Sequence, residues 1–436
     1  MRLRVKGAKV ITQDAKRRVL DADVLVDEGR IETVGDVKGR VDETIDAKGM
    51  WLLPGLINAH THLAMTLLRG YGDDLPLEEW LRSRIWPAED RMKEADVRIG
   101  TRLAALELVT GGTTTFNDMY FFEDAVADEC AQAGLRGIAG WGMVDVGKVG
   151  PDEPNPRLPE IERFLAKWQT HPLVRGAPAP HAVYTCGPAT YARSAELANQ
   201  YDTLLHTHAH ETRTEVYDVL KLKAMRPLAF LQKHGALSQR SLLAHCGWVT
   251  KEEVKTIASA GAGVAHCPVS NMKLATGGTM PLPEFLAAGA NVGLGTDGPA
   301  SNNTLDLFET MKFAALVHKQ ARWSATVAPA QTVLDLATRD GAAALRMGDR
   351  VGSIEAGKRA DLVLVDPRSP RLTPVHDPVS HLVYAARAED VHATIVDGKI
   401  LKLGDDYRTL KPDRILDEAQ KTAERLTVPL EKAAKP

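Results

Sequence analysis

Between Leu52 and Asp297 short apolar runs alternate with amphipathic stretches, and this alternation constrains the fold more than any other feature of the chain. Eight runs read as strands: Leu52–His62, Thr113–Asp118, Arg136–Val144, Val174–His181, Thr203–His210, Ser241–Cys246, Gly263–Cys267 and Asn291–Asp297. Between them, segments such as Ala95–Val109, Arg157–Thr170, Arg213–His234 and Lys251–Ala260 place apolar residues at helical spacing. Strands separated in this way by helices pair in parallel, through right-handed crossovers. Eight such units predict a (β/α)8 TIM-like barrel, an α/β fold. A doubly wound open sheet is the alternative arrangement of the same elements.

The two ends of the chain read differently. Leu3-Arg4-Val5, Val10-Ile11-Thr12, Val24-Leu25-Val26 and Ile31–Val34 are β-prone, and Asp27-Glu28-Gly29-Arg30 is a hairpin turn. After the eighth strand come helical stretches, Thr304–Gln320 and Ala330–Met347. Val351–Val365 and Val391–Lys402 then return to strand-like alternation, the latter with a turn at Asp397-Gly398-Lys399. Residues 1–55 and 351–436 are therefore expected to meet in one small β-sandwich domain beside a barrel of residues 56–350. The last residues read as a charged, helix-prone tail interrupted by Pro429.

Composition narrows the function classes. The chain has 436 residues, 44% hydrophobic and 25% charged, the balance of an ordinary globular protein. A net charge of −3 and 5% aromatics offer neither the basic footprint nor the stacking platform of a nucleic-acid binder. No signal-like leader opens the sequence and no apolar run is long enough to span a bilayer. A cytoplasmic protein with no membrane partner is expected. Cys130, Cys186, Cys246 and Cys267 match no metal or redox spacing and read as reduced, buried thiols. The sequence is compatible with a homo-oligomer but sets no oligomeric state.

Histidines mark the candidate chemistry. Ten of the 14 lie between His60 and His266, many at the ends of predicted strands. His60 and His62 close the first, in Pro54-Gly55-Leu56-Ile57-Asn58-Ala59-His60-Thr61-His62. At i, i+2 on a strand they share one face. His181 ends the fourth strand, His206, His208 and His210 alternate along the fifth, His245 and His266 close the sixth and seventh, and Asp297 ends the eighth. In a parallel barrel all these ends reach one rim, where active sites lie. Imidazoles and a carboxylate around an open position suit a catalytic divalent metal. Any one of these histidines alone reads more readily as a satisfied core or rim residue than as a metal ligand. Their recurrence at successive strand ends is what points to a metal. Spacing leaves open which of His206, His208 and His210 would bind it.

Taken together, the first histidine motif, His208-Ala209-His210-Glu211-Thr212, Leu243-Ala244-His245-Cys246 and Gly295-Thr296-Asp297 resemble the amidohydrolase superfamily. Within it the chain resembles the 5′-methylthioadenosine/S-adenosylhomocysteine deaminase group, through Met65–Gly70, Leu77–Leu81, Pro87-Ala88-Glu89, His181–Thr185, Cys267–Leu274 and Gly357–Leu362. The resemblance covers nearly the whole chain. It implies one Zn²⁺ bound by His60, His62, His208 and Asp297, with Fe or Mn as alternatives. No lysine stands at a strand end to form a bridging carbamate, which favours one metal over two. It further implies that Glu211 shuttles protons to a ring nitrogen, that His245 orients the attacking water, and that Asp297 also takes that water's proton. Glu89 and His181 would contact ribose hydroxyls. Trp80 and Trp86 would pack on the purine or cover the barrel mouth, and Ser270 and Asn271 would line a loop above the metal or serve the structure. Some members of the group carry an arginine where this chain has Trp141. An arginine there would suit a homocysteine carboxylate, and Arg157 is the nearest remaining candidate on that side.

The implied reaction is hydrolytic deamination of small adenosine-type nucleosides (5′-methylthioadenosine, adenosine, and with less weight S-adenosylhomocysteine) to the inosine analogue and ammonia. It needs an activated water and a proton for the ring nitrogen. A carboxylic acid beside the purine can hold that proton if its environment raises its pKa. A carboxylate can accept both protons of a ribose diol, the role suggested for Glu89; without the resemblance, Glu89-Asp90-Arg91 reads as a solvated helix face. One alternative keeps fold and metal but acts as a deaminase or chlorohydrolase on triazines or guanine-like bases. Another is a non-enzymatic binding protein on a relict barrel, which requires a broken ligand set.

Overall fold

The computed structural model describes residues 1–145, 150 and 152–427; Pro429 and the end of the predicted tail lie outside the described residues. Eight parallel strands form the barrel: β1 (Leu56–Thr61), β2 (Thr113–Tyr120), β3 (Arg136–Met143), β4 (Val174–Pro180), β5 (Leu205–Ala209), β6 (Ser241–His245), β7 (Gly263–His266) and β8 (Asn291–Leu294). β1 to β4 pair in order as one sheet, and β5 to β8 as another. Nearly every residue in them is buried, as expected of parallel strands covered by helices outside and side chains inside. The two sheets join at both seams. Ala182 bridges to His208 between β4 and β5, and Thr61 bridges to Asp297 between β1 and β8. The His208 N–H donates to the His181 carbonyl at 2.9 Å, and the Asp297 N–H to the His60 carbonyl at 3.0 Å.

The predicted first strand is in fact two. Trp51–Pro54 belongs to a sheet built from both chain ends, and the chain breaks at Gly55, whose N–H donates to the Asp361 carbonyl at 2.8 Å before β1 begins. A Cβ at Gly55 would stand 2.0 Å from the Thr114 hydroxyl, so only glycine fits this corner. Arg213–His234 likewise resolves into two helices, Arg213–Lys223 and Pro227–Lys233, separated at Ala224 with φ 53°. Ala330–Met347 divides into Ala330–Leu336 and Arg339–Ala344. In each case the apolar pattern runs on across a break that a left-handed residue, a proline or tight packing imposes.

Strands from both chain ends share one nine-stranded sheet. Arg2–Ile11 is a single strand with a bulge between Val5 and Ala8, where two short strands were expected. It pairs with Glu43–Asp46 along its first half and Trp51–Pro54 along its second, so the sheet forks around its own core of Leu3, Val5, Val24, Leu362 and Ile395. Between Val351 and Val365 only Leu362–Val365 is strand. Arg136, at the start of β3, ties the barrel to this sheet through Asp361 at 2.6 Å and Asp397 at 3.0 Å. All four cysteines are free and buried. No helix among the described residues is long and apolar enough to cross a membrane.

Candidate active site

The strand ends bring five donors into one space. His60 Nε2 lies 3.2 Å and His62 Nε2 3.1 Å from Asp297 Oδ1. His62 Nε2 is 3.3 Å from His208 Nε2. One ligand atom from each of His60, His208, His245 and Asp297 falls within 4.8 Å of the others. Ligands about 2 Å from a zinc ion stand roughly 3–4 Å apart, so this spacing fits a single small cation.

Hydrogen bonds behind the cluster fix which atoms face it. His62 Nδ1 donates to the Met119 carbonyl at 2.5 Å, and His208 Nδ1 to the His181 carbonyl at 2.8 Å. A carbonyl only accepts, so Nδ1 carries the hydrogen and Nε2 presents a lone pair inward. His245 Nδ1 meets Asn271 Oδ1 at 2.8 Å, and His60 Nδ1 meets His206 Nε2 at 2.8 Å. Asp297 accepts the hydroxyls of Ser270 (2.5 Å) and Ser301 (3.0 Å) on Oδ2, which leaves Oδ1 for the centre. The donor chemistry and its outer partners thus fit a divalent metal.

Backbone and charge are unusual here as well. His210, His245, Cys246 and Asp297 all adopt left-handed φ, at 55°, 74°, 50° and 63°. Such strain in non-glycine residues collects at functional sites. Without a metal, burial holds His60 neutral with a pKa of about 3. At His62 burial acts in the same direction, but the Asp297 carboxylate overrides it and lifts the pKa to about 9. Burial opposes ionisation of Asp297 too, yet its hydrogen bonds to His60 and His62 hold it well below the usual carboxylate range. A proton on His62 thus does part of what a bound cation would do.

The alternating histidines of β5 separate. His208 alone reaches the cluster. His206 lies behind His60, and His210, one residue past the strand end, turns away to accept the Leu228 N–H on Nε2 at 3.1 Å. The expectation that all three share a face fails at His210 because the strand ends at Ala209. His266 also leaves the rim, with its Nε2 3.0 Å from that of His318 on the helix Leu307–Arg322.

The remaining candidates divide. Glu211 is buried, and its carboxyl pKa is raised by that burial against the pull of His245. Glu89 follows a widened helical turn, Leu81–Ile85, and is half-buried. Its Oε1 accepts the Tyr120 hydroxyl at 2.8 Å, and burial pushes its pKa to about 7 even though Tyr120 and His62 lower it. His181 stands 4.8 Å from His208, ring to ring, with Nδ1 3.0 Å from Thr185 Oγ1. Burial lowers its pKa to about 4 and keeps it neutral. Trp80 is packed into the large core, while Trp86 is exposed. Trp141 is buried against Phe164. Arg157 is exposed at the start of Leu158–Trp168, and among the described residues no side-chain contact carries it to the cluster. Sequence reasoning missed Tyr120, Ser301, Glu215 and the roles of His206 and Asn271. Only the position of Tyr120 at the end of β2 could have pointed to any of them.

The profile of the Amidohydrolase family matches residues 51–401. This chain belongs to the amidohydrolase family. A 5′-deoxyadenosine deaminase of Methanothrix thermoacetophila is 42% identical over 97% of this amidohydrolase and 98% of its own length. A 5-methylthioadenosine/S-adenosylhomocysteine deaminase of Desulforudis audaxviator is 42% identical over 98% and 99%. Among solved structures, a zinc-bound adenosine deaminase of Xanthomonas campestris superposes with a TM-score of 0.93 at 36% identity, covering 97% of this chain and 98% of that one. A zinc-complexed atrazine chlorohydrolase of Arthrobacter aurescens does so with 0.89 at 30% identity, covering 97% and 100%.

Proposed function

We propose that this amidohydrolase is a zinc-dependent aminohydrolase that converts adenosine-type nucleosides to their inosine analogues and ammonia. The carrying observation is the buried donor set, whose Nε2 and Oδ1 atoms converge on one space, with the buried Glu211 in electrostatic reach of His245, Asp297 and His62. The relatives' names support it, since they share adenosine and differ at the 5′ position. His60, His62, His208 and Asp297 would hold the ion, with His245 adjoining. Zinc supplies the Lewis acidity that makes water nucleophilic near neutral pH. The chain's own residues do the rest. His245, oriented by Asn271, aligns the attacking water. Asp297 takes its proton, and Glu211 carries a proton to the ring nitrogen. Glu89, fixed by Tyr120, and neutral His181 receive the ribose hydroxyls. 5′-Methylthioadenosine and adenosine are placed ahead of S-adenosylhomocysteine, because Trp141 offers no cation for a carboxylate tail and exposed Arg157 is not tied to the cluster. Four buried free thiols support a reducing cytoplasm as the place of action.

A second reading, hydrolysis of triazines or guanine-like bases, draws on the likeness to the chlorohydrolase. Ammonia release from adenosine, 5′-deoxyadenosine, 5′-methylthioadenosine, S-adenosylhomocysteine, guanine and a triazine separates the two. Nucleoside activity that disappears on chelation and in Asp297→Asn is expected. Glu211→Gln should retain substrate binding and lose about a hundredfold or more in kcat. Glu89→Gln and His181→Gln should impair nucleosides specifically. Full nucleoside turnover in both variants, or activity on the triazine alone, overturns the assignment.

A further inference from the structure

We infer that Glu215 is a positioning residue, whose carboxylate clamps the backbone turn that directs Glu211 into the metal centre. The inference rests on the role proposed above for Glu211. Glu215 occupies the first turn of the helix Arg213–Lys223, capped by Thr212, whose Oγ1 accepts the Glu215 N–H at 3.0 Å. In an ordinary capping box the acid would reach back to the N–H of the cap residue. Here it reaches further. Oε1 accepts the His210 N–H at 3.1 Å, and Oε2 accepts the Glu211 N–H at 2.7 Å. One carboxylate therefore grips two consecutive peptide N–H groups just beyond the end of β5.

This grip sits where the chain changes direction. His210 has φ 55°, its carbonyl accepts the Trp248 N–H at 3.0 Å, and its ring faces Leu228. The left-handed residue sends His210 outward, and Glu211 follows it as a buried side chain whose carboxyl is influenced by His245, Asp297 and His62. Glu215 is only 5% exposed. Burial and the neighbouring Glu211 raise its pKa to about 7, while the two N–H donors at the helix start pull the other way and favour the carboxylate. A rotation of about 15° at this turn would move the end of the Glu211 side chain by about 1 Å, and an error of that size costs about a hundredfold in rate.

The test compares wild type, Glu211→Gln, Glu215→Gln, Glu215→Ala and the Glu211→Gln/Glu215→Gln double variant, all zinc-loaded, for kcat, KM, zinc content and Tm. Glutamine keeps one acceptor and replaces the other with a donor, so Glu215→Gln should lose about tenfold in kcat and Glu215→Ala about a hundredfold, with KM within about threefold. In the Glu211→Gln background, Glu215→Gln should cause no further loss, as for two residues acting through one group. Thr212→Ala, which weakens the helix start but spares the clamp, should lower Tm with kcat unchanged. Wild-type kcat in Glu215→Gln overturns the inference. So do multiplicative losses in the double variant, or an equal kcat loss in Thr212→Ala. Full kcat in Glu211→Gln would instead defeat the functional reading on which the inference rests.

Discussion

Gly295 tests how tightly the donor set depends on the approach of β8 to β1. An added Cβ there would stand 2.9 Å from both His60 Cβ and Cys267 Sγ, and 3.0 Å from the His60 carbonyl oxygen. Non-bonded carbons settle at about 3.5–4.0 Å, so Gly295→Ala forces a separation of about 0.5–1 Å. Little of this can be absorbed locally. The His60 carbonyl is engaged by the Asp297 N–H at 3.0 Å, and His60 itself is buried between His206 and the centre. Overpacking of this kind costs about 1–3 kcal/mol in stability. Function should suffer more, because metal ligands tolerate only about 0.2 Å and a misplacement of about 1 Å costs about a hundredfold in rate. The expected result is a protein that folds and melts a few degrees lower, yet retains much less zinc after dialysis against a weak chelator. Its kcat/KM should fall by about a hundredfold. Gly348→Ala is the control, since its nearest neighbour would lie at an ordinary 3.6 Å. Wild-type zinc content and activity in Gly295→Ala would refute the claim that this seam sets the ligand geometry.

Three further outcomes follow from the same structure. Removing zinc should lower Tm, and adding it back at about a thousand times Kd should restore about 4 kcal/mol, read by calorimetry; an unchanged melt counts against a resident metal. If Glu89, with a pKa of about 7, receives the ribose hydroxyls as a carboxylate, as proposed, nucleoside kcat/KM should rise as pH rises through about 7. Tyr120→Phe removes the 2.8 Å hydrogen bond that lowers this pKa and should move the rise to higher pH, whereas Glu89→Gln should abolish it. Arg136→Met leaves Asp361 buried without its cation, at a cost of about 3–5 kcal/mol by urea unfolding.

The barrel was legible because parallel strands buried on both faces leave near-continuous apolar runs. The same continuity hid its boundaries. The run from Met50 to Ile57 crosses from one sheet to another at Gly55 without a change in hydrophobicity. At the site, period-two alternation put His60 and His62 together because the geometry stays extended through the end of β1. It failed at His210, where the backbone turns left-handed, and at His266, where both faces of the strand are buried and parity cannot be read from polarity. Tyr120 can be placed at the end of β2, but its reach to Glu89 cannot be read from the sequence, and neither can the reach of Glu215 past its helix cap to the His210 and Glu211 N–H groups.

Barrel closure and ligand alignment are one event in this fold. At one seam the His181 carbonyl accepts both the backbone N–H of His208, at 2.9 Å, and its ring Nδ1–H, at 2.8 Å. A single oxygen thus joins β4 to β5 and aims a ligand. At the other seam the hydrogen bond from Asp297 to His60 joins β8 to β1 by the backbones of two donors. Substitutions that loosen either seam therefore degrade the metal centre before they unfold the protein. In the role proposed for Glu89, specificity can vary without touching this frame, because Glu89 arrives on the separate rim segment after β1 and is held by Tyr120 from the end of β2. Changing what the enzyme accepts should then require changes in those rim residues, with the seams and the five donors left as they are.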